Sequence, residues 1–426
     1  MIGARVPPLN EPTVYRALLP VLMTVFLDLI GFGIVIPLLP FYAEEYGASA
    51  AEVTWLMAAY SLAQFLFAPL WGSASDRFGR RPVLIASILM TAVGLAGFAA
   101  AESLAGLFVF RILHGAMTAN ISTAQAAVAD VTPPEKRAIG MGLIGAAFGV
   151  GFTVGPFLGG ELTAPAIAEQ LGALLGGVEV NRYAVPIWVA AAMSVVNLGM
   201  TAVLLPETRH PGSTTRPRPL SPSAFLAVLR HPVIGLCVLL TFVLTVAFAM
   251  MESTFTLFAE HVRGLDAPEV GRMFGVAGVV MILVQGGLIR PLVRRFGEGP
   301  LVPLGIGMLA LGLAVLPFAP PVGAMVAVFV WIAIGNGISS PSLQALISKG
   351  TSDEEQGFVL GTNQSMSALA RTVGPTIGGL LYSGLGPATP FLAAGAVLGL
   401  SVLLAFAALR QRAAGVAAPR GSSSAR

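Results

Sequence analysis

Four charged side chains interrupt long apolar runs in this sequence: Asp28 in "TVFLDLIGF", Arg111 in "FVFRILHG", Glu252 in "FAMMESTF" and Arg371 in "ALARTVGP". An ionised carboxylate is costly in hydrocarbon, so an acid in such a run must face protein or water, pair, or take up a proton. Desolvation favours the protonated acid, which makes proton loading and release available chemistry. Asp28 and Glu252 are therefore candidates for binding a proton or another cation, with a helix-packing hydrogen bond as the alternative. Arg111 and Arg371 are candidates for balancing such an acid. Arg111 has the alternative of reaching outer headgroups with its long stem, and Arg371 that of bracing two helices.

Arg111 opens a polar stripe, Arg111, Gly115, Thr118, Ser122 and Gln125, whose spacing of four, three, four and three is one face of a helix. His114 is off the stripe and reads as a packed neutral histidine rather than a proton relay. Gln364, Ser367, Arg371 and Pro375 share a second face. A different chemistry is suggested by "GSASDRFGRR", residues 72 to 81, where charge is dense between two apolar runs. Gly72 and Gly79 allow a tight turn, Asp76 is placed to meet a helix N-terminus, and Arg77, Arg80 and Arg81 offer partners to Asp130. The bland alternative is a basic loop that only fixes topology.

Composition defines the elements that must hold these residues. The chain has 426 residues, 55% hydrophobic and only 11% charged, and its mean hydropathy is +0.82, where soluble domains carry about a quarter charged residues. This is an all-α, multi-pass membrane protein. A net charge of +3 without basic clusters gives no reason to expect nucleic acid. Cys237 is the single cysteine, so neither an intramolecular disulfide nor a cysteine-built metal site is available. The first apolar run is too long for a signal-peptide core and lacks a cleavage site, so it is expected to remain as the first span.

Runs of about 20 apolar residues predict twelve spans: 17–39, 53–72, 82–101, 104–129, 137–161, 185–206, 233–258, 268–289, 299–318, 322–347, 356–384 and 388–410. They divide into a bundle over 17–206 and another over 233–410, after an N-terminal segment 1–16, around a polar linker 207–232, and before a tail 411–426 expected to be disordered. With the N-terminus inside, cytoplasmic segments hold 19 of the 24 Lys and Arg residues and outer segments three, which assigns both termini to the cytoplasm. The stretch 161–186 is a long outer loop in which a short surface helix is expected.

The halves repeat. A shift of 219 residues (375 − 156) superimposes "TVGPFLGG", 153 to 160, on "TVGPTIGG", 372 to 379, and pairs Gln125 with Gln344, Glu135 with Glu354 and Gly142 with Gly361 without a gap. Duplicated halves of the same topology are a transporter feature, because two bundles can rock about a shared midplane site.

Several motifs carry a family resemblance. "GSASDRFGRRP" resembles the G-x-x-x-D-R-x-G-R-R signature of the major facilitator superfamily, departing from its commonest form at Ala74. "RILHG", 111 to 115, is similar to its fourth-helix R-x-x-x-G motif. "GVGFTVGPFLGG", with Gly151, Gly155, Pro156, Gly159 and Gly160, resembles the fifth-helix motif of drug/proton antiporters, and "LDLIGFGIVIPLLP", 27 to 40, resembles the first helix of tetracycline-type exporters; "VADVTPPEKRAIGMGLIGAAFGVG" extends that similarity. In the second half "RRFGE" keeps Arg295, Phe296 and Gly297 but has Arg294 where Asp76 aligns. The resemblance implies two pseudo-symmetric six-helix bundles of the superfamily fold, with Asp28 the stronger of the two acids and the Pro156 helix limiting ion leak. Small-residue spacing in that helix by itself indicates close helix packing.

The expected function is secondary active transport: a proton-coupled antiporter exporting amphipathic organic compounds or drugs. A symporter or facilitator for sugars, organic acids or other metabolites is the alternative, and a transport-inactive sensor a remote one. No nucleotide-binding G-x-x-x-x-G-K-[ST] loop and no H-E-x-x-H or G-x-S-x-G motif is present, so an enzyme is not expected. Nor is a cofactor or a metal site. Phe32, Gln64, Thr118, Ser122, Gln125, Met251, Trp331, Asn336 and Gln364 are candidates for the substrate cavity, since such pockets are apolar with few polar anchors. The expected setting is a bacterial cell membrane, with the protein monomeric and its partners a small organic substrate, protons and the bilayer.

Overall fold

The computed structural model describes residues 11–118, 120–132, 137–208, 222–319, 322–351 and 355–416. Within them the chain runs through α1 (Glu11–Glu44), α2 (Ala50–Phe78), α3 (Arg80–Ala99), α4 (Leu104–Met117), α5 (Asn120–Val131), α6 (Arg137–Leu162), α7 (Pro165–Leu174) and α8 (Ala184–Leu204). It continues through α9 (Pro222–Arg230), α10 (Ile234–Arg263), α11 (Ala267–Leu283), α12 (Ile289–Phe296), α13 (Glu298–Val315), α14 (Val322–Lys349), α15 (Gln356–Leu385) and α16 (Thr389–Val416). A helix satisfies every backbone polar group internally, which is what a chain in hydrocarbon requires. Eight helices among the described residues are long and apolar enough to cross a membrane.

Local chemistry sets several helix starts. Ser49 and Glu52 form a capping box at α2, with Ser49 N–H donating to Glu52 Oε2 at 2.8 Å. Asp266 and Glu269 exchange the same pair of bonds at α11, both at 3.0 Å. The short helix expected in the 161–186 loop is α7, which begins on Pro165.

Two predicted spans depart from a simple helix, and one predicted connection departs from a loop. The fourth, 104–129, is broken into α4 and α5 at Thr118, whose backbone is extended at φ −81° and ψ 104°. The carbonyls freed there are taken by side chains: Thr118 Oγ1 donates to His114 O at 2.7 Å, Trp71 Nε1 to Ala116 O at 2.7 Å and Ser87 Oγ to Met117 O at 2.8 Å. Irregular backbone at membrane depth survives only with such partners. The eighth span contains a π-helical turn at Val284–Leu288, "VQGGL", before α12, and a π turn inserts one residue into an α-helix. The third departure is the charged stretch 72–81. It is helical on both sides of a single residue, Gly79, because nothing before that glycine breaks α2.

The described contacts divide the chain into two units: Met1–Arg216 with Glu252–Val279, and Pro217–Met251 with Val280–Arg426. In the first unit Val21, Val25 and Leu29 of α1 pack with Leu84, Ala124, Val128, Ile144 and Leu205. The C-terminal part of α10, from Glu252, and most of α11 belong to this unit, and α11 closes on α6 through glycines. A Cβ at Gly160 would lie 2.7 Å from Ala267 O and 2.9 Å from Gly271 Cα. In the second unit a cluster of Val284, Leu301 and Ile338 joins the π turn to α13 and α14.

Candidate functional site

The charged turn is a network centred on Arg80. Its Nη1 donates to Asp76 Oδ1 at 2.7 Å and to Ser75 Oγ at 2.9 Å, and its Nε donates to Asp130 Oδ2 at 2.9 Å. Asp130 was expected to pair with one of the arginines, and Arg80 is that arginine. Asp76 corrects the sequence expectation: it lies in the last turn of α2, not at a helix N-terminus. Helix α2 runs through "SASDRF", so Asp76 sits at the negative end of the dipole and is compensated by Arg80. Arg77 stacks on Phe78 at 5.2 Å, and Arg81 donates to Ala202 O at 2.6 Å. Gly79 adopts φ +104°, a region open to glycine, whereas Gly72 lies in open space inside α2, so only one of the two expected turn glycines makes the turn.

The α3 N-terminus is instead occupied by Glu207, a residue the sequence reading did not select. Its carboxylate accepts from Arg80 N at 2.9 Å and Arg81 N at 3.3 Å, and it lies directly against Gly79. The signal for it was an acid immediately after the sixth span. We expect Glu207→Gln to lower the thermal unfolding midpoint by about 1–3 °C, since an acid at a helix N-terminus contributes roughly 0.3–1 kcal/mol. An unchanged midpoint would detach Glu207 from this role.

Asp28 lies half-buried on α1, one helical turn before Phe32 and on the same face. The next residues of α1 are held by α6 through the motif glycines. A Cβ at Gly151 would lie 2.6 Å from Leu29 Cβ, one at Gly155 2.7 Å from Gly33 Cα and 2.8 Å from Ile30 O, and one at Gly159 2.5 Å from Ile34 O. Pro156 reaches the same seam: its Cδ is 3.0 Å from where a Cβ on Gly33 would stand. Spacing of four along α6 thus lets two backbones approach directly beside the acid. The duplicated half repeats this. A Cβ at Gly374, the partner of Gly155, would lie 2.6 Å from Val246 O and 3.0 Å from Met250 N, on α10.

Arg111 is 2% exposed, so it does not reach the headgroups. Its guanidinium lies 4.8 Å from the Tyr60 ring centroid and 5.7 Å from that of Phe98. His114, 4% exposed, packs edge-on to Tyr60 at 5.0 Å. Phe32 meets Tyr60 at 5.3 Å and Phe152 at 5.8 Å. Gln64 and Gln125 are half-buried in this unit and Thr118 is buried at the helix break. The side chain of Ser122 lies outside the described residues. Glu252 is half-buried on α10 within the same unit.

In the second unit Met251 is buried and Gln364 and Arg371 are half-buried. Asn336 Nδ2 approaches Met281 Sδ at 3.5 Å. Trp331 is 42% exposed and donates its indole N–H to Met308 O at 2.9 Å, which ties it to α13.

At the opposite end of the first unit from Arg80, Arg272 Nε meets Glu161 Oε1 at 2.5 Å and His261 Nε2 meets Glu44 Oε2 at 3.1 Å. Glu44, Glu260 and His261 have donor atoms within 4.8 Å of one another, the donor set nearest to a metal site among the described residues. Asn181 Nδ2 donates to Glu45 at 2.6 Å beside them. Burial pushes the Tyr183 phenol up, against the lowering effect of the Arg182 guanidinium that bonds it.

The sequence profile of the Major Facilitator Superfamily matches residues 21–375, with a second match over 288–425. The tetracycline resistance protein, class C, of Escherichia coli is 32% identical over 375 residues, covering 86% of this chain and 90% of that protein. Multidrug resistance protein 2 of Bacillus subtilis (strain 168) is 28% identical over 387 residues, covering 88% of this chain and 91% of that protein. Among solved structures, the human organic anion transporter MFSD10 (TETRAN) aligns with a TM-score of 0.70 at 24% identity, over 93% of this chain and 100% of that chain. A profile match over most of the length, relatives matched nearly end to end, and a helical fold with spans of membrane length agree, and the chain belongs to the Major Facilitator Superfamily, a multi-pass membrane transporter.

Proposed function

We propose that this transporter is a proton-coupled antiporter that exports amphipathic organic compounds by alternating access. The observation that carries the reading is Asp28: a half-buried carboxylate on α1, beside a seam where α1 and α6 touch through Gly33 and Gly155. An acid at that depth exchanges a proton when its surroundings alternate between wet and dry. While the carboxylate is ionised the bundle turns only with substrate aboard; once a proton neutralises it, the bundle can also turn back without substrate. Glu252 is a second protonation candidate, and Arg371 a cation that balances an acid. The relatives named for tetracycline and multidrug resistance support an organic substrate moving outward.

Proteoliposomes with an imposed pH gradient test this. Tetracycline or ethidium should move against the direction of proton flow, and collapse of the gradient with a protonophore should stop it. Movement in the same direction as protons would indicate a symporter, and movement indifferent to the gradient a facilitator; either result overturns the reading.

A further inference from the structure

Among the described residues no acid forms an ion pair with Arg111. It is 2% exposed, and its Nε and Nη1 are buried without a hydrogen-bond acceptor among the described residues. Its close neighbours are faces and edges of rings: Tyr60 at 4.8 Å and Phe98 at 5.7 Å. Cation–π contacts stabilise a desolvated guanidinium in part, but they leave the N–H donors of Nε and Nη1 without an acceptor among the described residues, and a buried donor without an acceptor is costly. The rings continue away from the charge. Tyr60 leads to Phe32 and Phe32 to Phe152, and along this row enclosure falls, since Tyr60 is 4% exposed while Phe32 and Phe152 are only half-buried. The result is a row of aromatic surface with an unsatisfied planar cation at its closed end, and Tyr60 standing between the cation and the open end.

We propose that Arg111 receives a carboxylate of the transported molecule, an organic anion whose flat apolar body lies along Phe32 and Phe152. Nη1, with Nη2 beside it, can meet a carboxylate end-on in the bidentate geometry that a guanidinium favours. The anion reaches them when Tyr60 swings off the guanidinium, so the ligand replaces a ring face by a counter-ion. The proposal deepens the export reading by naming a substrate class, and rests on that reading only for the direction of movement.

The test is equilibrium binding to the purified full-length protein in detergent, with no gradient. The probes are 2-naphthylacetate and its neutral isostere 2-naphthylacetamide. The wild type should bind the carboxylate at least about tenfold more tightly than the amide, the range expected of a buried charge-assisted hydrogen bond. Arg111→Gln should abolish that preference and leave amide binding within about twofold, a change confined to the charge term. Arg111→Lys should retain part of it, because the charge stays and the fork is lost. If Arg111→Gln does not fold, Phe32→Ala serves: it should weaken both probes alike, by about three- to tenfold for one lost aromatic contact, with the ratio preserved.

Equal affinity of the wild type for both probes, or equal loss of both in Arg111→Gln, would overturn the proposal and leave Arg111 as a brace. Competition by excess chloride that vanishes in Arg111→Gln, without any naphthylacetate preference, would assign the position to an inorganic anion and also overturn it. The two readings fail separately. Gradient-driven tetracycline movement with no carboxylate preference refutes the anion site alone, whereas Arg111-dependent naphthylacetate binding in a protein insensitive to the gradient refutes the coupling alone.

Discussion

Asp28→Asn is expected to abolish gradient-driven transport while leaving exchange in the absence of a gradient nearly intact. Asparagine reproduces the size of the carboxylic acid but cannot release a proton, so it locks the site in its neutral form. A neutral site still permits the bundle to cycle with substrate on both sides, and it removes the free-energy link between proton and substrate. An ordinary coupling free energy corresponds to about 5–150-fold. Gradient-driven accumulation in proteoliposomes should fall by that range, and substrate counterflow at equal pH by no more than about threefold, since the link and not the cycle is removed. In the wild type, counterflow should depend on pH; in Asp28→Asn that dependence should be lost. Asp28→Glu, which retains an acid one methylene longer, should recover part of the coupling. Gradient-driven accumulation unchanged in Asp28→Asn would remove this residue from the mechanism.

The second large effect concerns the scaffold beside that acid. Gly155→Ala places a methyl group 2.7 Å from Gly33 Cα and 2.8 Å from Ile30 O. Both are backbone atoms of α1 and cannot rotate aside, so α1 and α6 must separate. Overpacking of this kind costs about 1–3 kcal/mol, a fall in thermal midpoint of about 2–10 °C for a chain of several hundred residues. Gly399→Ala supplies the contrast. Nothing lies within 4 Å of a Cβ there, so the added methyl acts only through helix propensity and should stabilise α16 by roughly 0.5–1 kcal/mol. Opposite signs for two glycine-to-alanine changes in spanning helices would identify contact, not propensity, as the reason for the glycine at 155. Equal midpoints would dissolve the proposed seam.

The charged turn shows how far local reading reaches. "GSASDRFGRR" marked a connection, and Gly79 alone makes it. What local reading missed was the helix running through Asp76, and the acid that caps α3. Glu207 is 127 residues from the Arg80 amide it accepts from, and no local pattern reports such a pairing. The break at Thr118 was equally hidden. The stretch 104–129 has helical periodicity and no proline, and the donors that allow the chain to unwind there, Trp71 and Ser87, come from two other helices. Arg111 had two readings from sequence, snorkelling or burial, and its enclosure by Tyr60 and Phe98 decides for burial.

The sequence by itself determined the membrane class and the family, and displayed the repeat between the halves. These follow from one-dimensional quantities: hydrocarbon rejects charge and unpaired backbone groups residue by residue, and a repeat or motif is a matter of spacing. Only the tertiary structure decided which acid meets which amide, where a span unwinds, and which glycines touch a neighbour's backbone. Those outcomes depend on side chains and backbones from distant segments meeting at distances of about 3 Å, and spacing along a chain does not encode which distant segment arrives.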